Sequence, residues 1–380
     1  MSSMTTRELA EARSSLEQGR FREVLALCRP LLSGLPHDPD ACSLVGAAYL
    51  GLGRAFQALR VLAPACKLHP ERRDLRALRI SCLLAAGAFR LAQREAAQAL
   101  ALDPDDAGLA DLSARADASI AELERMLASA PRALLTESRR TALRRDFRSS
   151  YRDVPIIINS RDRRACLEQM IAWLRPAGYS NLVILDNAST YPPLLEYLRA
   201  LDDETLVFRL TRNLGPRALW ASGLIGELSD VPFVYTDPDV VPTEECPGDA
   251  VLELSELLRV HRRASKAGLG IRIDDIPERY AEKSAVQSWE ARFWQRPLAR
   301  NCYDAMVDTT FALYRPGSWH QLQAVRSAPP YLARHLPWYA DSSKPTPEER
   351  YYAEHALSHM TSWGGKEVSA MYDGAASEHP

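Results

Sequence analysis

Apolar positions in the first third of the chain recur at helical spacing, in runs interrupted by single glycines and closed by prolines. Pro36, Pro70 and Pro104 stand 34 residues apart, and so do Gly19, Gly53 and Gly87. Phe21, Ala55 and Phe89 each follow the glycine by two. Each unit reads as a helix, a tight turn, a second helix and a proline stop. Glycine accepts the turn backbone, and proline cannot continue a helix. In the second unit the spacing predicts helices over Ala41–Leu50 and Ala55–Leu68 around a turn at Gly51–Arg54. Asp38, Asp40, Asp103 and Asp105 are candidate N-caps. The units run about Ser3–Pro36, His37–Pro70 and Glu71–Pro104, and a further helix pair from Asp106 to about Ser129 is expected to cap the stack.

From Val154 the period changes. Apolar runs VPIIINS, LVILDNAS, TLVFRLT and PFVYTDPDVVP read as four strands. Between them Cys166–Leu174, Pro193–Ala200 and Pro216–Leu228 read as helices. Such alternation predicts a mostly parallel sheet with crossover helices. The fold class expected is therefore α + α/β: an all-α repeat solenoid over residues 1–130, an Arg-rich linker helix over 131–152, and a Rossmann-like α/β domain over 153–380.

A period of 34 with these columns resembles the tetratricopeptide repeat. That resemblance implies a groove for a protein or peptide, or an oligomerisation element making homo-oligomers. Net charge is -2 over 380 residues, so no overall field draws the chain to nucleic acid. No run of about 18 apolar residues suggests a transmembrane segment. The seven cysteines form no C-x-x-C pair, and buried free thiols in a reducing cytoplasm are the expectation.

In parallel α/β sheets ligands bind beyond the carboxyl ends of the strands. Here four successive strand ends turn polar: Asn159-Ser160-Arg161, Asp186-Asn187 with Ser189, Arg212-Asn213-Leu214-Gly215, and Asp237-Pro238-Asp239. Turns favour such residues anyway, but four together suggest one shared pocket. Asp237 and Asp239 offer oxygen ligands to Mg²⁺ or Mn²⁺, which commonly bridge carboxylates to a diphosphate.

The stretches PIIINSRDR, VILDNAST, RNLGPRALWASG, YTDPDVVP, DTTFALYRP and PEERYYAEH together resemble the family 2-like glycosyltransferases of the GT-A fold. The resemblance implies a nucleotide-sugar donor, most often a uridine diphosphate sugar, with the base and ribose held at Asn159, Ser160, Arg161 and Asp186. It implies metal and diphosphate at Asp237 and Asp239, and a catalytic base at Glu348-Glu349, where glutamate replaces the family's aspartate. A third metal ligand is expected at His359 or, four residues earlier on the same helix face, at His355. Inversion at the anomeric carbon is implied by the same likeness.

Other residues are open to two readings. Asp308 could orient a donor sugar or acceptor hydroxyl, or cap local structure. Arg217 and Arg334 could offset diphosphate charge, and Asn187 and Asn213 stand where they could line the nucleotide. His335 reads as a core histidine. Lys266, Arg272, Asp274 and Asp275 surround a short strand, as sugar contacts or as a salt-bridged loop. Trp289, Phe293 and Trp294 read as core. The acceptor would be a glycan, or a protein or peptide held by the repeats. Two alternatives stand beside this: a nucleotidyltransferase-like enzyme, disfavoured because NSRDRRACLEQM holds no glycine for a triphosphate loop, and a repeat-based adaptor with a degenerate transferase domain.

Overall fold

The computed structural model describes residues 6–28, 38–127, 133–201 and 205–355. Pro36 and His359 lie outside them. The chain forms two compact units: Met1–Met126 with Trp220–Ser229, and Leu127–Leu219 with Asp230–Pro380.

The first unit is helical. Its helices are α1 (Thr6–Glu17), α2 (Phe21–Leu27), α3 (Pro39–Gly51), α4 (Ala55–Leu68), α5 (Arg73–Ala85), α6 (Phe89–Leu102) and α7 (Ala107–Met126). Gly19, Gly53 and Gly87 each take left-handed φ, at 71°, 70° and 74°. In the second repeat the Gly53 amide donates to Leu50 O and the Arg54 amide to Tyr49 O, and the same pair of bonds recurs at Gly19 and Gly87. This is a Schellman ending, for which glycine has no Cβ penalty. The period of 34 is thus a period of helix stops. Alanines Ala88, Ala92, Ala96 and Ala99 pack with Leu109, Leu112 and Ala116 in one buried cluster, their size permitting close helix approach.

Two details differ from expectation. Residues after Asp106 form the single 20-residue helix α7, not a helix pair. Its first turn is capped by Asp106, whose Oδ1 accepts from the Leu109 amide, rather than by Asp103 or Asp105. Asp38 caps α3 as anticipated, accepting from the Ala41 amide.

Segment 220–229 packs in this unit. Sequence predicts one helix over Pro216–Leu228, but Gly223 adopts φ 79° and ends it. A short helix and a 3₁₀ turn (Leu224–Leu228) replace it. Gly226 lies directly on the third repeat turn: a Cβ there would sit 2.4 Å from both Ala88 Cα and Gly87 O.

In the second unit α8 (Glu137–Arg145) and α9 (Phe147–Ser150) precede β1 (Ile156–Ser160). There follow α10 (Arg164–Leu174), β2 (Leu182–Asp186), α11 (Pro192–Ala200), β3 (Leu206–Arg209), α12 (Ala218–Ala221, which crosses into the first unit) and β4 (Phe233–Thr236). Next come β5 (Val240–Pro242), α13 (Ala250–Val260), β6 (Lys266–Gly268), β7 (Gly270–Ile271), α14 (Lys283–Glu290), β8 (Pro297–Leu298) and β9 (Cys302–Met306). The described chain closes with β10 (Ala312–Tyr314), β11 (Gln323–Ser327), β12 (Leu332–His335) and α15 (Pro347–His355).

Among the described residues nine strands form one sheet in the order β3-β2-β1-β4-β10-β6-β11-β9-β8. The first four are parallel, and β10 runs antiparallel between β4 and β6. Ile156, Ile157, Ile158 and Leu182–Leu185 are buried, as befits strands covered on both faces. A second sheet, β5-β12-β7, starts where the fourth predicted strand breaks at Asp-Pro-Asp, so that run serves two sheets.

Gly226→Ala should cost roughly 2 kcal/mol or more, because backbone rather than a flexible side chain must yield. Thermal unfolding measures it, and an unchanged melting temperature would mean that the turn can open at no cost.

Candidate functional site

Parallel register aligns the polar strand ends: Ser160 pairs with Asp186, and Asp186 with Arg209. These residues chiefly hold one another's loops. The Asn187 Oδ1 accepts from the Leu214 amide at 2.7 Å, and its Nδ2 donates to Gly215 O at 2.9 Å. Asn159 Nδ2 reaches the same carbonyl at 3.4 Å. Asn213 Oδ1 accepts from the Gly215 amide, closing the turn on itself. Gly215 takes φ 77° there. Arg161 donates to Asn187 O and Ala188 O. Asp186 is wholly buried, with one oxygen accepting from the Ser189 amide and the other from Arg209 Nε, each at 3.0 Å.

The fourth strand end is different. The Asp237 amide donates to Thr309 O, and Thr309 Oγ1 donates to the Asp237 carboxylate. Burial, with the charges of Asp239 and Asp308 beside it, pushes the Asp237 carboxyl well above the usual carboxylate range. Asp239 lies 3.7 Å from Arg163 Nε and 3.8 Å from His335 Nε2. Those distances exceed hydrogen-bond reach, so Arg163 attracts Asp239 by charge without a shared proton. His335 arrives because β12 pairs antiparallel with β5, setting it opposite Val240, and the Leu336 amide donates to Asp239 O. Burial lowers the His335 pKa. Ser160 Oγ, Asn159 Oδ1, Arg163 Nε and His335 Nδ1 are buried without a hydrogen-bond partner among the described residues.

Helix α15 carries the glutamate pair. Glu348 accepts from the Arg164 amide at 2.8 Å and the Ala165 amide at 3.1 Å, so it caps the start of α10. Glu349 accepts from the Thr346 amide while Thr346 Oγ1 accepts from the Glu349 amide. That reciprocal pair is a capping box. Tyr352 lies under the Arg163 guanidinium, 4.0 Å from ring centroid to Cζ. His355 stacks on Tyr351 and meets its carbonyl at 2.8 Å.

Asp308 is half-exposed, and His320 Nε2 stands 3.4 Å from its Oδ1. Behind it Lys266, fully buried, donates to Asp308 O and to Tyr314 Oη, each at 3.1 Å. Burial lowers the Lys266 pKa to about 7, against the pull of Asp308. Arg217 is exposed, and its charge reaches Lys266 and His320. Arg334 pairs with Asp275 at 2.7 Å and with Glu244, while Arg272 pairs with Asp274 and Asp275. Trp289 and Phe293 pack on Ala305 as core.

Asp237, Asp239 and Asp308 therefore share one neighbourhood with Arg163, His335 and Lys266. Asn159 belongs to it, whereas Asn187, Asn213 and Asp186 sit in the stitched loops. Arg163 and Thr309 were missed in the sequence, and His335 was read as core. Their signal is pairing of β12 with β5 and of the Asp308–Thr309 turn with β4, which no local pattern announces. Among the described residues no three His, Cys, Asp or Glu side chains converge as a metal cage. The oxygens of Asp237 and Asp239 fit a hard divalent cation of the kind completed by substrate phosphates, which needs no such cage. No helix among the described residues is long and apolar enough to cross a membrane.

By class, then, the molecule is α + α/β: a stack of helical hairpins and a mixed-sheet unit with acidic residues at its parallel strand ends. The chain matches no protein-family model and no curated protein. Among solved structures it is similar to a mutant O-GlcNAc transferase of Thermobaculum terrenum, at 18% identity over 53% of this chain and 42% of that one, with a TM-score of 0.24. The chain spans less than half of that protein, and likeness at this level carries no conclusion about fold or function.

Asp186→Ala should lower unfolding free energy by about 1–3 kcal/mol, since it orphans a buried amide and the Arg209 guanidinium. A normal melt with lost nucleotide binding would instead assign its carboxylate to a ligand. Lys266 gives a pH signature. The unfolded chain keeps that proton to about pH 10, the folded one only to about 7. Between those values the unfolded state binds more protons, so stability rises with pH. Lys266→Met should flatten that rise and gain stability at pH 6, as measured by denaturant unfolding at pH 6 and 9.

Proposed function

We propose that this chain is a metal-dependent glycosyltransferase that moves a sugar from a nucleoside-diphosphate sugar to an acceptor hydroxyl, on a GT-A-type α/β domain. The observation that carries the reading is the Asp237 carboxylate: half-buried after the fourth parallel strand, beside Asp239, and driven toward protonation by desolvation and by that neighbouring charge. A divalent cation favours the anionic form of Asp237, which is a reason to keep two carboxylates so close together. The position also agrees with the family resemblance, where the D-x-D follows the fourth strand.

In this reading Asp237 and Asp239 hold Mg²⁺ or Mn²⁺, and the Asn159 side chain hydrogen-bonds to Asp237. The bound ion supplies neutralisation of charge developing on the leaving diphosphate. Arg217, exposed beside the Gly215 turn, offers a second positive charge to that diphosphate. Arg163 balances Asp239 from beneath. The stitched loops of Arg161, Asn187 and Asn213 give the base and ribose a fixed wall, and a uridine nucleotide is the carrier the resemblance favours. The acceptor is a glycan, or a protein or peptide presented by the helical repeats.

The purified protein is screened by thermal shift with each common nucleoside diphosphate, with and without Mn²⁺, alongside Asp239→Ala. One nucleotide should raise the melting temperature only with metal, and the variant should lose the shift; saturation a hundredfold above Kd is worth about 2.7 kcal/mol. No metal-dependent shift with any nucleotide sinks the reading and leaves the repeat-based adaptor in front.

A further inference from the structure

The glutamates of α15 are engaged at two helix starts, Glu348 on the amides of Arg164 and Ala165, and Glu349 on that of Thr346. Both carboxylates are occupied by backbone amides, and burial raises the Glu348 carboxyl above its usual range. Asp308 differs in every respect that matters for proton transfer. It follows directly on Met306 and Val307 at the end of β9, its side chain is half-exposed, and its charge acts on the neighbouring Asp237. Behind it stands a row of proton-carrying groups. His320 Nε2 stands 3.4 Å from Asp308 Oδ1. His320 Nδ1 stands 3.3 Å from Tyr314 Oη, and Tyr314 Oη stands 3.1 Å from Lys266 Nζ. All three of these side chains are buried, Lys266 and Tyr314 completely.

Resting on the glycosyl-transfer reading above, we propose that Asp308, not the Glu348–Glu349 pair, takes the proton from the attacking hydroxyl, with His320, Tyr314 and Lys266 as a buried relay that carries it away. The step balances. The hydroxyl oxygen forms the new bond to the anomeric carbon as its proton passes to Asp308. The bond from that carbon to the diphosphate breaks, and its electron pair leaves with the diphosphate. Asp308 then gives its proton to His320 Nε2, His320 Nδ1–H gives one to the Tyr314 oxygen, and Tyr314 O–H gives one to the neutral Lys266 amine.

A lysine is a poor terminus for such a line when it is permanently charged. Burial holds this one near neutrality, at about 7. The charged groups facing it are Asp308, which favours its proton, and Arg326 and Arg217, which oppose it, with Tyr314 and His320 completing its surroundings. Asp308 is the catalytic residue in this scheme. The three buried groups act through it.

The test uses the full chain with the common sugar nucleotides of the base identified by the thermal-shift screen, water as the acceptor, and release of nucleoside diphosphate as the readout. Asp308→Asn should keep the metal-dependent melting shift and lose about 10²–10⁴-fold in turnover, while Glu349→Gln stays within threefold of the parent. Lys266→Met should keep donor binding and displace the acid limb of the kcat profile, which loss of packing alone does not move. Near-full turnover by Asp308→Asn with the donor bound overturns this assignment and leaves the transferase reading standing. So does a large loss in Glu349→Gln at unchanged melting temperature. If no nucleotide binds with metal, both fall together.

Discussion

Two carboxylates close together, out of water, repel each other and lose their hydration at once. Half-buried Asp237 approaches that condition, and several distant residues meet around it. Thr309 donates to it, and the Asp237 backbone is tied to Thr309 in turn. That tie fixes where the turn carrying Asp308 lies. Asp239, two residues on, opens β5, and β5 recruits β12, which sets His335 and the Leu336 amide beside it. Arg163 completes the circle and rests on Tyr352 of α15. Residues far apart in the chain thus meet because one strand end carries more negative charge than its surroundings can absorb.

The remaining polar strand ends have a quieter role. Asn159 and Asn187 both spend amide hydrogens on Gly215 O, and Asp186 spends both oxygens inside the fold. Parallel strands need crossover loops, and those loops end in unpaired amides and carbonyls that must find partners when buried. Side chains at neighbouring strand ends are the nearest supply. A cluster of Asn, Asp and Ser at such ends is therefore both a pocket wall and its own mortar.

What could be read in advance follows from the range of the interactions involved. The repeat was legible because Gly19, Gly53 and Gly87 each end a helix by the same local motif. Strands β1 to β4 were legible as unbroken apolar runs. The helix predicted over Pro216–Leu228 failed at Gly223, whose left-handed backbone depends on packing rather than on its neighbours in sequence. Thr346-Pro347-Glu348-Glu349 spells a capping box in plain letters, yet family likeness drew attention to chemistry instead. The burial of Lys266 and the arrival of His335 rest on pairings between β6 and β10 and between β5 and β12. Such pairings join positions too distant for any periodicity to record.

Segment 220–229 leaves one compact unit, packs within the other and returns. The two units are consequently joined by three covalent crossings rather than one. A protease or a cloning boundary placed after Met126 would not yield an independent α/β fragment. It would strand Trp220, Leu224, Ile225 and Leu228, all buried in the intact chain, as an apolar flap with nothing to cover it. Any truncated form lacking the repeats should be judged by its tendency to aggregate before its activity is interpreted.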